Sequence, residues 1–157
     1  MQERIRWKEK SETEICQWVS DVFEQSQSNS CPVNRLSVFS EEAMKGSCGE
    51  CVICREGTYQ IMIQAQSMTN GKGNDDDFLI VNDIVEDMIL GSCCSYGKEV
   101  GKRFYELIES NAEIFAKHYK RKRCDAGVCE KLIVNTPTVE INEGGLLGGK
   151  QRRRRSS

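Results

Sequence analysis

Hydrophobic positions recur every three or four residues along most of the chain as far as residue 119, and the stripes they form predict a series of helices. Residues 11 to 27 read as the first: Ser11 and Glu14 make a capping-box pattern, and Ile15, Trp18, Val19, Val22 and Phe23 share a face. Cys16 lies beside that stripe and is expected as a small buried hydrophobe. After a polar break, Pro32 suits the first turn of a second helix with Val33, Leu36, Phe39 and Met44 inward. A third helix covers 55 to 68, with Thr58, Ile61, Met62, Ala65 and Met68 on one side, and ends in the glycine-rich turn 69 to 74. Asp75, Asp76 and Asp77 then occupy the first turn of a fourth, where carboxylates complement the free amides, and Phe78, Val81, Ile84, Val85 and Met88 are its buried set. Lys98 to Tyr119 forms the longest amphipathic segment, carried by Val100, Phe104, Leu107, Ile108, Ile114 and Phe115.

Beyond Cys129 the periodicity fades. Residues 132 to 141 fit one or two short strands around Pro137, and 144 to 157 read as a disordered end. The expected fold is all-α, a small helical bundle whose loops converge on one pole. The expected organisation is a helical extension over 1–30, a core over 31–133 and a basic tail over 134–157.

Between the second and third helices stands Gly46-Ser47-Cys48-Gly49-Glu50-Cys51-Val52-Ile53-Cys54-Arg55-Glu56-Gly57. Three cysteines at intervals of three can bring their thiolates to one point where a loop turns into a helix. A [4Fe–4S] cluster wants four thiolates and commonly takes three from one run and the last from elsewhere. Cys94, in Gly91-Ser92-Cys93-Cys94-Ser95-Tyr96-Gly97, is the natural fourth. Zinc is the rival, although its all-cysteine sites usually pair two separate hooks.

Composition sharpens this. Nine cysteines in 157 residues is a high count, and 38% hydrophobic content is thin, so bound metal could reinforce a modest core. The first residues carry no apolar run, so neither a signal peptide nor a membrane-spanning segment is expected; the cytoplasm is the expected compartment. In a reducing compartment, cysteine richness favours metal over disulfides. The net charge of −2 hides a segregation: Lys117, Lys120, Arg121, Lys122 and Arg123 form one basic block, and Lys150 with Arg152 to Arg155 another. Without those ten cations, 12 basic residues face 24 acidic ones, so the body would repel nucleic acid and such binding is not expected.

His118, the only histidine, closes the last helix just before Cys124 and Cys129. Alone it would read as an ordinary core or surface residue. With two thiols nearby, a tetrahedral zinc site becomes a candidate, and Cys31, ahead of Cys16 and Cys93, is the choice for its fourth ligand. No catalytic constellation is visible, since no second histidine can serve a nucleophile and no carboxylate pair can be placed.

Ser47 to Gly57, followed by Cys94-Ser95-Tyr96-Gly97, resembles the C-terminal iron–sulfur domain of the flavin-bearing, NADH-oxidising subunit of respiratory complex I. The match tightens toward NAD-linked iron hydrogenases and NAD-dependent formate dehydrogenases, through Cys31 and the closing His118…Cys124-Asp125-Ala126-Gly127-Val128-Cys129 segment. The resemblance implies a four-helix bundle with a [4Fe–4S] cluster on Cys48, Cys51, Cys54 and Cys94. From the hydrogenase-type relatives it also implies zinc on Cys31, His118, Cys124 and Cys129. It further implies an electron-transfer module working with flavoprotein and ferredoxin-like subunits, without its own flavin and NADH-binding domains and inactive alone. Ile53 and Asp125 stand where the family usually has proline. The alternative is a structural, metal-stabilised interaction module with no redox role.

Overall fold

The computed structural model describes residues 4–133. Seven α-helices and two short 3₁₀ turns make up its regular structure, and among the described residues there is no strand. A turn at Trp7–Glu9 precedes α1 (Glu12–Gln25); a second, Ser26–Ser28, separates it from α2 (Pro32–Gly46). α3 (Val52–Thr69), α4 (Asp75–Gly91), α5 (Ser95–Glu109), α6 (Ala112–Arg121) and the single turn α7 (Glu130–Ile133) follow. The expected all-α bundle is what forms.

Local chemistry sets the boundaries. Ser11 accepts from the Glu14 amide while the Glu14 carboxylate accepts from the Ser11 amide, fixing the start of α1. Asn74 and Asp77 repeat the device at α4. The expected continuous segment from Lys98 to Tyr119 is instead two helices. Its break falls at Ser110-Asn111, where the Asn111 side-chain amide donates to the Leu107 carbonyl at 2.8 Å. A short polar side chain that satisfies a backbone group locally offers the chain a way out of the helix. α5 also starts earlier than expected, at Ser95.

α2 packs on α3, α3 on α4 and α4 on α5, while α1 crosses back over α5. Phe39 sits edge-on between Phe23 at 5.0 Å and Phe104 at 5.3 Å in the centre of the bundle. Met88 of α4 reaches between its neighbours: a Cβ on Gly57 of α3 would lie 2.8 Å from its sulfur, and one on Gly101 of α5 would lie 3.1 Å from its Cβ. These three helices therefore approach closely in the halves nearest the cysteine loops.

Two expectations are corrected. Cys16 is exposed, because Ile15 and Val19 supply the buried face of α1 and leave position 16 turned outward. Leu132 and Ile133 belong to a helical turn rather than a strand, and Leu132 is buried against the core. The remainder of the expected strand region, 134 to 141, and the tail 144 to 157 lie outside the described residues.

The N-terminal segment is built into the bundle. Trp7 stacks on Tyr96 with ring centres 4.5 Å apart and meets Trp18 edge-on at 5.2 Å, and the Trp7 indole N–H donates to the Gly46 carbonyl at 2.7 Å. The Tyr96 hydroxyl donates to Ala43 O at 2.7 Å, so both aromatic donors fasten the end of α2. Lys8 pairs with Glu50 of the cysteine loop at 2.8 Å. Replacing a buried Trp by Ala typically costs about 3–5 kcal/mol. Trp7→Ala is expected to lower the urea midpoint by a loss in that range, and Trp7→Phe, which keeps a ring for Tyr96, by much less.

Candidate metal centres

Cys48, Cys51, Cys54 and Cys94 are brought to one end of the bundle by three elements. Cys48 lies in the loop after α2, Cys51 is the N-cap of α3 with Cys54 in its first turn, and Cys94 is the N-cap of α5. Neither Cys51 nor Cys94 caps its helix through its side chain. Both helix starts place first-turn amides and the positive end of a dipole beside these cysteines, and the Ile53 and Cys54 amides act on the Cys51 thiol, an arrangement that favours bound negative charge. Cys51 and Cys54 are buried; Cys48 and Cys94 are half-buried.

The thiols differ accordingly. Burial first, then repulsion from Cys94, Cys51 and Cys48, outweighs the Ser47 hydroxyl and pushes the Cys54 thiol up to about 12. Burial also opposes ionisation of Cys51, yet backbone amides, foremost that of Cys93 at 3.2 Å, hold it below its ordinary value. A thiol raised like Cys54 ionises when a cation takes the place of its proton. Arg55, the residue after Cys54, is exposed; it pairs with Glu56 and donates to the Gly49 carbonyl at 3.1 Å, bracing the loop between Cys48 and Cys51.

One buried atom tests the fit of an iron–sulfur cluster. The Ser92 hydroxyl is enclosed and has no hydrogen-bond partner. It lies where α5 passes close: a Cβ on Gly97 would come within 2.5 Å of it and 3.0 Å of the Cys54 Cβ. An orphaned buried hydroxyl costs about 1–3 kcal/mol. A cluster on these thiolates brings sulfur acceptors to this pole, so the donor and the uncapped helix starts both fit one.

A second group lies where the chain's two halves meet. Cys31, His118, Cys124 and Cys129 are all buried, and their ligand atoms lie within 4.8 Å of one another. Cys31 caps α2 ahead of Pro32, and His118 closes α6. Lys122 then takes a left-handed conformation, φ 52°, that turns the chain back, with the Arg123 amide bonded to Lys117 O. A turn from Cys124 to Gly127, whose φ of 70° suits glycine, delivers Cys129. His118 Nδ1 lies 2.8 Å from the Ile114 carbonyl, which can only accept. The proton is thereby placed on Nδ1, and Nε2 faces the sulfurs, 3.2 Å from Cys31 and 3.7 Å from Cys129.

The Cys129 thiol donates to Cys31 Sγ at 3.8 Å and, with His118, holds the Cys31 thiol down at about 4 despite its burial. Burial works against a charged His118, but its contacts with Cys31 and Ile114 win and raise it to about 9. A tetrahedron with bonds of about 2.3 Å has sulfur–sulfur edges of about 3.8 Å, so the Cys31–Cys129 spacing suits zinc.

Residues 34–122, more than half of the chain, match the family described as the NADH-ubiquinone oxidoreductase-F iron-sulfur binding region. The chain belongs to that family. Cys48, Cys51, Cys54, Cys94 and His118 fall within the match; Cys31, Cys124 and Cys129 flank it. Over 94 residues the chain is 28% identical to the F subunit of NADH-quinone oxidoreductase from Streptomyces coelicolor, covering 60% of this chain and 21% of that protein. Over 109 residues it is 27% identical to the HndC subunit of the NADP-reducing hydrogenase from Solidesulfovibrio fructosivorans, covering 68% and 22%. A crystal structure of NAD+-reducing [NiFe]-hydrogenase in the H2-reduced state matches with a TM-score of 0.54 and 26% identity, over 57% of this chain and 16% of that one. The chain thus spans about a fifth of the length of the curated relatives it matches. Membership of this iron–sulfur binding family makes a [4Fe–4S] cluster its cofactor.

Sequence reasoning gives no role to Ser92, Tyr96 or the Cys93 amide, although the run containing them stands out for Cys94. A serine is a common residue, and only the enclosure made by Gly97 sets Ser92 apart. Hydrogen bonds to cluster sulfur raise the reduction potential. Ser92→Ala is expected to leave the iron content unchanged and lower the midpoint potential in an EPR-monitored titration.

Proposed function

We propose that this domain is a one-electron relay, holding a [4Fe–4S] cluster on Cys48, Cys51, Cys54 and Cys94 and zinc on Cys31, His118, Cys124 and Cys129. The observation that supports this reading is that Cys51 and Cys94 stand at the N-caps of α3 and α5, with Cys54 in the first turn of α3 and Cys48 in the loop before it. A bound cluster supplies a one-electron couple that is negatively charged in both states. The first-turn amides of α3 and α5 stabilise the added charge of the reduced state, and burial of Cys51 and Cys54 limits water. The electron donor in this reading is a reduced-flavin subunit and the acceptor a ferredoxin-like subunit. The subunit names of the relatives support work within a larger oxidoreductase. No helix among the described residues is long and apolar enough to cross a membrane.

The second centre plays a structural part, tying the start of α2 to the end of α6 and the turn beyond it. An EPR-monitored redox titration with paired metal analysis tests the division of labour. Cys48→Ser is expected to abolish the reversible signal while zinc stays near one per chain; Cys31→Ser is expected to lose zinc and lower the melting temperature. A cluster signal indifferent to Cys48→Ser would overturn the ligand set.

Zinc must also displace protons. His118, raised to about 9, is charged at neutral pH, and Cys129 is pushed well above its ordinary range, chiefly by its bond to Cys31 and by burial. Both protons leave when metal binds, so affinity is expected to rise with pH. Competition with a chromophoric chelator between pH 6 and 8 should show at least two protons released per zinc.

A further inference from the structure

α4 is the most acidic helix of the bundle. It has six carboxylates and no lysine or arginine. Asp75, Asp76 and Asp77 stand at its start, roughly 20 Å of helix from Leu90. Asp83, Glu86 and Asp87 lie in the half that reaches the cysteine pole and are the ones that bear on this face. None makes an ion pair among the described residues, whereas Glu14, Glu41, Glu42, Glu50, Glu56, Glu99 and Glu106 all do. Its end nearest the cysteine pole is apolar and uncovered. Leu90 is 73% exposed, and at the start of α3 Val52 is 59% and Ile53 37% exposed. Ile53 lies against Gly91, where an added Cβ would sit 2.8 Å from its Cδ1, so the surface is continuous across the two helices. From Leu90 a groove of about 350 Å³ runs between α4 and α5 to the exposed Tyr105, with Glu86 and Glu109 on its walls.

Scattered apolar side chains on a surface need no explanation, but several together with a charged rim mark a contact site. This group's place narrows the occupant. Val52 and Ile53 stand between Cys51 and Cys54, and Leu90 comes four residues before Cys94. A protein seated here is brought directly against the pole that carries the thiols. Carboxylates without cationic partners can receive cations with no internal ion pair broken, and opposite charge speeds encounter and fixes orientation.

We propose that this face docks a redox protein whose cofactor edge is apolar and ringed with lysine and arginine. The proposal rests on the relay reading and names the kind of partner it serves. One electron leaves the reduced centre, which is oxidised, and enters the partner's cofactor, which is reduced; no bond forms or breaks and no proton moves.

The test uses ferric cytochrome c, a basic protein with a lysine-ringed haem edge, as the probe. The full chain is reduced with dithionite, freed of it by anaerobic gel filtration, and mixed in a stopped-flow instrument. Each variant is first shown to keep the reduced-state EPR signal. The second-order rate is expected to fall at least about tenfold in high salt and about tenfold in the double variant Glu86→Lys with Asp87→Lys. Leu90→Ser should lower it several-fold, roughly the effect of losing one apolar anchor. The same charge change made on α1, Asp21→Lys with Glu24→Lys, is expected to change it less than about twofold. Equal losses in the two double variants would show that only net charge is felt and would overturn the docking face. So would a rate that rises on deletion of residues 144–157 and no longer depends on Leu90, which would place the chain's own basic tail there. An unaltered chain with no reduced-state signal would overturn the relay reading and this face with it.

Discussion

Gathering negative charge in a half-buried place is the constraint on which this fold depends. Four thiols at one pole would repel each other as thiolates, and burial first, then that repulsion, push Cys54 toward its neutral form. The chain answers by starting two helices there and leaving their first-turn amides uncapped by side chains. Ser11 and Asn74, by contrast, close the starts of α1 and α4 with complete capping boxes, while α2 and α6 also begin without a side-chain cap.

Close approach follows from the same demand. Helix starts act over about one turn, so α3 and α5 must come near to the same point. Glycines at 57, 97 and 101 allow it, with Met88 filling the space beside Gly57 and Gly101. The aromatic group of Trp7, Trp18 and Tyr96 then closes the side of that pole, with the Trp7 and Tyr96 donors spent on carbonyls at the end of α2. At the other junction Cys31 meets His118 and Cys129, which stand 87 and 98 residues further along the chain. A thin hydrophobic core is thus tied at this junction by a group whose ligand atoms could hold a metal.

Much of this was legible in the chain. The helices announce themselves because their apolar positions keep a strict spacing, and cysteine groups carry their chemistry in spacing and number. The break at Ser110-Asn111 was not legible, since Leu107, Ile108, Ile114 and Phe115 sustain the stripe on both sides of it. The Asn111 bond to Leu107 O and the non-helical backbone at Asn111 show that the chain turns there. Cys16 misled because position 16 adjoins an apolar stripe without belonging to it. Trp7 could not be placed, because a single aromatic residue outside any periodic run gives no hint of its partner. Ser92 was equally silent, as its enclosure depends on a helix that begins three residues later.

The most direct test of the account is the metal and sulfide content of the chain purified without oxygen. About four irons, four acid-labile sulfides and one zinc per chain are predicted. Two zincs and no sulfide would contradict the account and make both centres structural.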